Sequence, residues 1–319
     1  MSKVNFEISY TLDVLFYIEC MLNREKHRLY DDEVNRFMPM LGTVSDKQLD
    51  KLHNIYTSSP DCMLSIVAML ITSPHLHTWK MTDLFDNHKS LVTSFKKSKE
   101  YQNVSASLKR FASGDFLKMM PMIKTIVADL ERLEFKKFWL EENLPALKER
   151  TAEYEQVLSR LDIVTLVNSW VVDKKIPADD QWYLLAYSGS EYQPVLRSYS
   201  IVSPMIPSEE LFARMIAYAV GVNDYRKFCK GLKPTAELKL EYKEHPLSKS
   251  FKGITGYAEV CLKMALKKYL AEACGDLYAD LPEDYPLAGV ILDYLRDNEK
   301  LKVQTVGDYV GKMFKRFSK

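Results

Sequence analysis

From residue 9 to residue 160 the chain reads as almost unbroken helix, and nothing else in it constrains the fold as strongly. Leu12 to Leu22 is apolar apart from Asp13, Glu19 and Cys20, which predicts a largely buried helix. Ser45 followed by Gln48 is a capping-box pattern, and it opens a helix carrying Leu49, Leu52 and Ile55. Pro60 is placed to start an apolar helix through Ile71, since proline is tolerated in a first turn. Further helices are predicted over 87–112, 115–133 and 135–160, with Pro121 and Pro145 expected to kink or break the last two. Glycine is correspondingly scarce, at 11 in 319 residues.

The texture changes after Leu161. Ile163, Val164, Leu166 and Val167 lead into Trp170, Val171 and Val172. Gln181 to Tyr187 and Pro194 to Val202 are short, rich in aromatic and β-branched residues, and bounded by Gly, Ser or Pro, so strands of a small sheet are expected. Ser208 then stands as an N-cap, with Glu209 and Glu210 suited to a helix N-terminus. Leu211, Phe212, Met215, Ile216, Ala219 and Val222 follow helical spacing. A looser stretch is predicted from Asn223 to Thr255, and helices at about 256–273, 286–297 and 304–317. The expectation is a mostly α, α+β protein: a helical domain over 1–160, then an α+β domain over 161–319 with the small sheet and C-terminal helices.

The whole-chain charge is +1, from 44 basic and 43 acidic residues, and this argues against a dedicated nucleic-acid binder. The balance hides two blocks. Between Tyr225 and Tyr269, eleven basic residues meet four acids; between Ala271 and Glu299, eight acids meet Arg296 alone. These read as solvated faces, or as a basic surface for an acidic partner. The longest apolar run, Met63 to Ile71, is too short for a membrane span of about 20 residues. The five cysteines are odd in number and form no Cys-x-x-Cys pair, so a reduced, cytoplasmic protein is expected.

Motifs of common chemistry are missing. No His-Glu-x-x-His occurs, and neither glycine-rich phosphate loop is present. His75 and His77 would point the same way in an extended segment, but a loop with two ordinary histidines is the simpler reading. His245 reads as a surface loop residue. Ser188-Gly189-Ser190-Glu191 fits a β-turn rather than a nucleophile elbow. Glu259 precedes Lys263 by four residues, the favourable order for a helical ion pair. Val306, Val310, Met313, Phe314 and Phe317 form a helical stripe that is expected to dock on the protein's own core.

Three stretches carry a resemblance. The first is Tyr30-Asp31-Asp32-Glu33-Val34-Asn35-Arg36-Phe37, followed by a capped helix and Pro60-Asp61-Cys62-Met63-Leu64. The second runs from Phe116-Leu117 through Phe135, Phe138 and Trp139 to Tyr154. The third is the strand, helix, loop and helix order from Gln181 to Leu270. Together they resemble a bacterial family of gluzincin-like zinc metallopeptidases, which carry His-Glu-x-x-His on one helix and a third ligand Glu on a later one. The resemblance implies a zincin-like arrangement. It places Ala217, Tyr218 and Gly221 at the His, Glu and second His positions, and Glu259 at the third ligand. Alanine and glycine offer zinc no donor, and a tyrosine with a pKa of about 10 is a poor base at neutral pH. The implied state is a degenerate member, scaffold kept and chemistry lost, with no catalytic residue, no metal ligand set and no cofactor.

Three functions follow as expectations. The first is a non-catalytic protein that binds a protein or peptide, with Tyr218 and Tyr257 as candidate lining residues, because tyrosine pairs a flat face with a polar tip. The second is a zinc-dependent hydrolase with unconventional ligands drawn from Glu244, His245 and Glu259. The third is an adaptor using Lys243, Lys249 and Lys252 of the basic block on an acidic surface.

Overall fold

The computed structural model describes residues 4–58, 66–67, 69–70, 85–102, 104–160, 162–177, 180–189, 192–196, 199–230, 232–275 and 280–317. Pro60, Leu161, His75, His77, Ser190 and Glu191 lie outside them, so the readings at those positions have no structural counterpart. Of the run Met63–Ile71, the described Ile66, Val67, Met69 and Leu70 are helical and buried.

The chain divides into two compact units, and each is discontinuous in sequence. One combines residues 4–154 with 180–206, and the other combines 155–179 with 207–319. The first cut falls close to the expected boundary at 160. The sheet residues, however, return to the helical unit rather than joining the C-terminal helices.

The reason lies in the first four-residue strand, β1 (Asn5–Ile8). It pairs in parallel with β2 (Gln181–Leu184), Asn5 opposite Gln181 and Ile8 opposite Leu184. β2 pairs in parallel with β4 (Tyr199–Val202), and β4 pairs antiparallel with β3 (Tyr192–Leu196), giving the order β1-β2-β4-β3. The fold is thus mostly α with one small mixed sheet, as the sequence predicts. The N-terminal strand was not predicted; a single alternation in Asn-Phe-Glu-Ile is too brief a period to read.

Against this sheet unit lies α1 (Tyr10–Leu22), which Ser9 caps by accepting the Leu12 amide at 3.3 Å. Every residue from Leu12 to Leu22 is buried, Asp13 and Glu19 included. α2 (Asp31–Phe37) and α3 (Asp46–Ser58) follow. The capping box at Ser45 forms in part: the Gln48 side chain accepts the Ser45 amide at 3.0 Å.

The predicted helix 87–112 is two, α4 (His88–Lys97) and α5 (Ala106–Ser113), the second capped by Ser105. α6 (Asp115–Arg132) continues through Pro121. The break falls instead before Pro145, where the short α7 (Phe135–Phe138) widens into a π-turn over Trp139–Asn143 ahead of α8 (Leu144–Arg160). The π-turn accompanies a buried polar contact: the Trp139 indole donates to Asp13 Oδ2 at 2.7 Å.

In the other unit, Asp162 caps a short helix, α9 (Ile163–Asn168), where the texture suggested a move toward strands. α10 (Ser208–Gly221) starts as predicted, although Ser208 is its first helical residue, follows Pro207, and makes no capping bond. The looser stretch from 223 to 255 holds two helices, α11 (Arg226–Cys229) and α12 (Ala236–Glu244); Thr235 caps α12 by accepting the Leu238 amide at 3.2 Å. The twenty-residue α13 (Gly253–Glu272) is the spine of this unit and packs on both α10 and α14 (Pro286–Asp297). α15 (Val306–Arg316) buries Val306, Tyr309, Val310, Met313 and Phe314, so the C-terminal stripe is a core face.

Candidate functional site

The last turn of α10 ends at Gly221, and the chain then bends through Val222–Tyr225 into α11. This bend is held from inside. Asn223 is buried, and its Oδ1 accepts three successive backbone amides, from Val172, Asp173 and Lys174, at 3.2, 2.8 and 2.9 Å. Its Nδ2 donates back to the Ala219 carbonyl at 2.7 Å. One side chain thereby fixes the end of α10 and the segment after α9.

Facing the bend is one side of α13. Lys252, Gly256, Glu259, Val260 and Lys263 recur at three- and four-residue spacing, so they share a face. Together with residues Gly221 to Asp224, Arg226, Ser250 and Phe251 they line a cavity of about 380 Å³ that is open to solvent.

Glu259 stands in its wall, only 9% exposed. Its Oε1 accepts the Tyr225 amide at 3.0 Å and lies 3.1 Å from Lys263 Nζ. Its Oε2 lies 3.5 Å from Arg226 Nε. The Lys263 ammonium also donates to the Gly221 carbonyl at 3.1 Å, tying α13 to the end of α10. Arg226 is shared with Asp224, whose carboxyl the guanidinium and the Arg226 amide hold well below the usual carboxylate range. Behind them, burial and the Glu259 charge push the Cys229 thiol up to about 12, so it is not a nucleophile at neutral pH.

The Glu259–Lys263 ion pair therefore forms as the spacing predicts, but in a buried setting rather than on an open face. Gly221 and Glu259, two positions singled out by the resemblance, meet in one cavity wall. Ala217 and Tyr218 are on the preceding turn of α10 and do not line the cavity; Tyr218 is 45% exposed. Tyr257 is fully buried behind the wall, donating its hydroxyl to Glu241. Lys252 lines the cavity, whereas Lys243 and Lys249 are exposed elsewhere. Arg226, Asp224 and Asn223 were missed by the sequence reading. The one hint was the polar Asn-Asp following the last apolar turn of α10.

These residues do not fit a zinc ion. Gly221 supplies no donor, and both Glu259 oxygens are taken by cations and an amide. Among the described residues, no group of three His, Cys, Asp or Glu side chains converges as a metal-ligand set. His245 corrects another expectation: it is buried, not a surface loop residue, and it does not line the cavity. Among the described residues, no helix is long and apolar enough to cross a membrane. Comparison with family models, with curated proteins and with solved structures found no match.

Proposed function

We propose that the chain is a non-catalytic, peptidase-like protein that holds a short peptide segment of a partner in the cavity between α13 and the bend that follows α10. The observation that carries this reading is the state of Glu259. Its carboxylate lines the cavity, and the resemblance would make it the third zinc ligand, yet Lys263, Arg226 and the Tyr225 amide occupy it. A carboxylate so engaged orients neighbours and leaves neither a base nor a ligand free. A cavity of about 380 Å³ lies in the usual range for small-ligand sites, about 300–1,000 Å³. Its lining mixes apolar Val222, Phe251 and Val260 with Ser250, Lys252 and Lys263, which suits a side chain plus its backbone groups.

The test uses short fluorescein-labelled peptides of acidic, neutral and basic composition, titrated into the full chain. Saturable binding that is lost on filling the cavity with Val260→Trp supports the reading. Binding unaffected by that substitution, or no binding by any class, overturns it. So does stoichiometric zinc in the purified protein that disappears in Glu259→Ala.

A second reading, an adaptor for an acidic surface, is favoured by one observation. Among the described residues, no carboxylate pairs with Lys243, Lys249 or Lys252. It requires an affinity that falls steeply with salt and is lost on charge reversal of these three lysines.

A further inference from the structure

His245 sits at the C-terminal end of α12, 4% exposed, inside a box of aromatic rings. The ring centroids of Phe251, Tyr257 and Tyr285 lie 5.1, 5.5 and 4.5 Å from its own. Its two nitrogens are treated differently. Nδ1 accepts the backbone amide of Leu247 at 3.0 Å, so the neutral ring carries its hydrogen on Nε2. Nε2 is buried without a hydrogen-bond partner, 3.5 Å from Asp284 Oδ2.

The Leu247 amide belongs to the turn that leads into α13. Within this turn Ser248 donates to the His245 carbonyl at 2.9 Å, and Ser250 to the Leu247 carbonyl at 2.8 Å. The same turn then supplies Ser250, Phe251 and Lys252 to the cavity lining. Phe251 thus touches His245 and also walls the cavity.

We propose that His245 is a proton-operated latch on this turn, holding the cavity wall when neutral and releasing it when charged. The added proton must go to Nδ1, which bears the ring's one available lone pair. Nδ1–H then faces the Leu247 N–H, donor against donor, and the bond that pins the turn is lost. The charged ring is also drawn to Asp284, the carboxylate already beside Nε2, and to the faces of the neighbouring tyrosines.

Titratable groups from three elements face the ring or stand behind it. Asp284 and Tyr285 come from the segment before α14, Tyr257 from α13, and Glu241 of α12 stands behind Tyr257 on its hydroxyl. Burial keeps both tyrosines neutral, raising their hydroxyls above the ordinary phenol value. The consequence for binding rests on the cavity's being the binding site; the latch itself does not.

The test is amide hydrogen exchange in the full chain, corrected for the intrinsic pH dependence, together with the ring titration followed by nitrogen-15 NMR. Between about pH 8 and pH 5, where histidine changes charge, exchange at Leu247 and at Ser248 to Lys252 is expected to rise about tenfold, in step with protonation of His245. In His245→Asn, whose amide oxygen stands on Cγ as Nδ1 does and so accepts the Leu247 amide without titrating, the rise is absent. In Asp284→Asn, at an exposed position that folding tolerates, the transition moves to lower pH. Protection that ignores the ring titration, an equal rise in His245→Asn, or an unmoved transition in Asp284→Asn overturns the proposal. These readouts need no ligand, so failure of peptide binding leaves them standing and is told apart from failure of the latch.

Discussion

Lys263 Nζ lies 3.1 Å from Glu259 Oε1 and 3.1 Å from the Gly221 carbonyl, so one ammonium joins α13 to the end of α10. An isolated i,i+4 pair on an open helix contributes about 0.3–0.5 kcal/mol. Here the carboxylate is nearly buried and has two further partners, Arg226 and the Tyr225 amide. Lys263→Met removes a cation from the nearly buried Glu259 carboxylate and hands the exposed Gly221 carbonyl to water. It is expected to destabilise the protein by about 1–3 kcal/mol in urea denaturation. A change under about 0.5 kcal/mol would show that the pair behaves as an ordinary surface pair.

Asn223 presents a sharper case, because three backbone amides converge on one oxygen. Asn223→Ala leaves those donors without an acceptor, and a loss of about 2–4 kcal/mol is expected at about 1–3 kcal/mol for each buried group left unsatisfied, offset by partial hydration. Asn223→Asp keeps the acceptor and forfeits the two amide donations, to Ala219 and Lys174, so its loss should be smaller. Hydrogen exchange at Val172, Asp173 and Lys174 locates the effect; unchanged protection there in Asn223→Ala would refute the assignment.

Asp13 gives a pH dependence with a definite sign. Burial raises its pKa from 3.8 to about 6, against the lowering effect of donors from Trp139, Ala186 and Tyr187. A carboxyl whose folded pKa is raised favours the fold while protonated, and that advantage drains away as pH climbs from about 4 to about 6. Relative to Asp13→Asn, the wild-type chain should lose up to about 1.4 kcal/mol per pH unit across this window. Trp139→Phe removes the largest lowering contribution, so its window should extend to higher pH. Parallel pH profiles for wild type and Asp13→Asn would refute this.

How much of this was legible in the sequence follows from range. Capping and periodicity are local, so Ser45–Gln48, the α10 stripe and the α14 span 286–297 were readable. The parallel pairing of Asn5–Ile8 with Gln181–Leu184 joins residues far apart in the chain, and no periodicity announces it. The expected grouping of the sheet with the C-terminal helices failed for the same reason, because that pairing carries the sheet into the helical unit. At the candidate site, Glu259 and Lys263 announced each other at four residues' spacing. Asn223 and Arg226 were ordinary polar residues until folding brought α9 and α13 to them. His245 looked solvent-exposed because its neighbours Lys243, Glu244 and Pro246 are polar or turn-forming; the rings that bury it come from Phe251, Tyr257 and Tyr285.

Two glycines separate backbone strain from packing. Gly253, at the start of α13, has φ +72°, and nothing stands within 4 Å of where a Cβ would be. Gly253→Ala therefore meets only the left-handed backbone penalty, about 1–2 kcal/mol. Gly307, in α15, is the opposite: a Cβ there would collide with the Phe228 ring of α11. Gly307→Ala forces that ring to move and should cost about 1–3 kcal/mol. Trimming the ring distinguishes the two. Phe228→Leu should recover part of the Gly307→Ala loss, a coupling of about 0.5–3 kcal/mol in a double-mutant cycle, and leave the Gly253→Ala loss unchanged. Simple additivity of Gly307→Ala with Phe228→Leu would mean that the ring is not what the glycine accommodates.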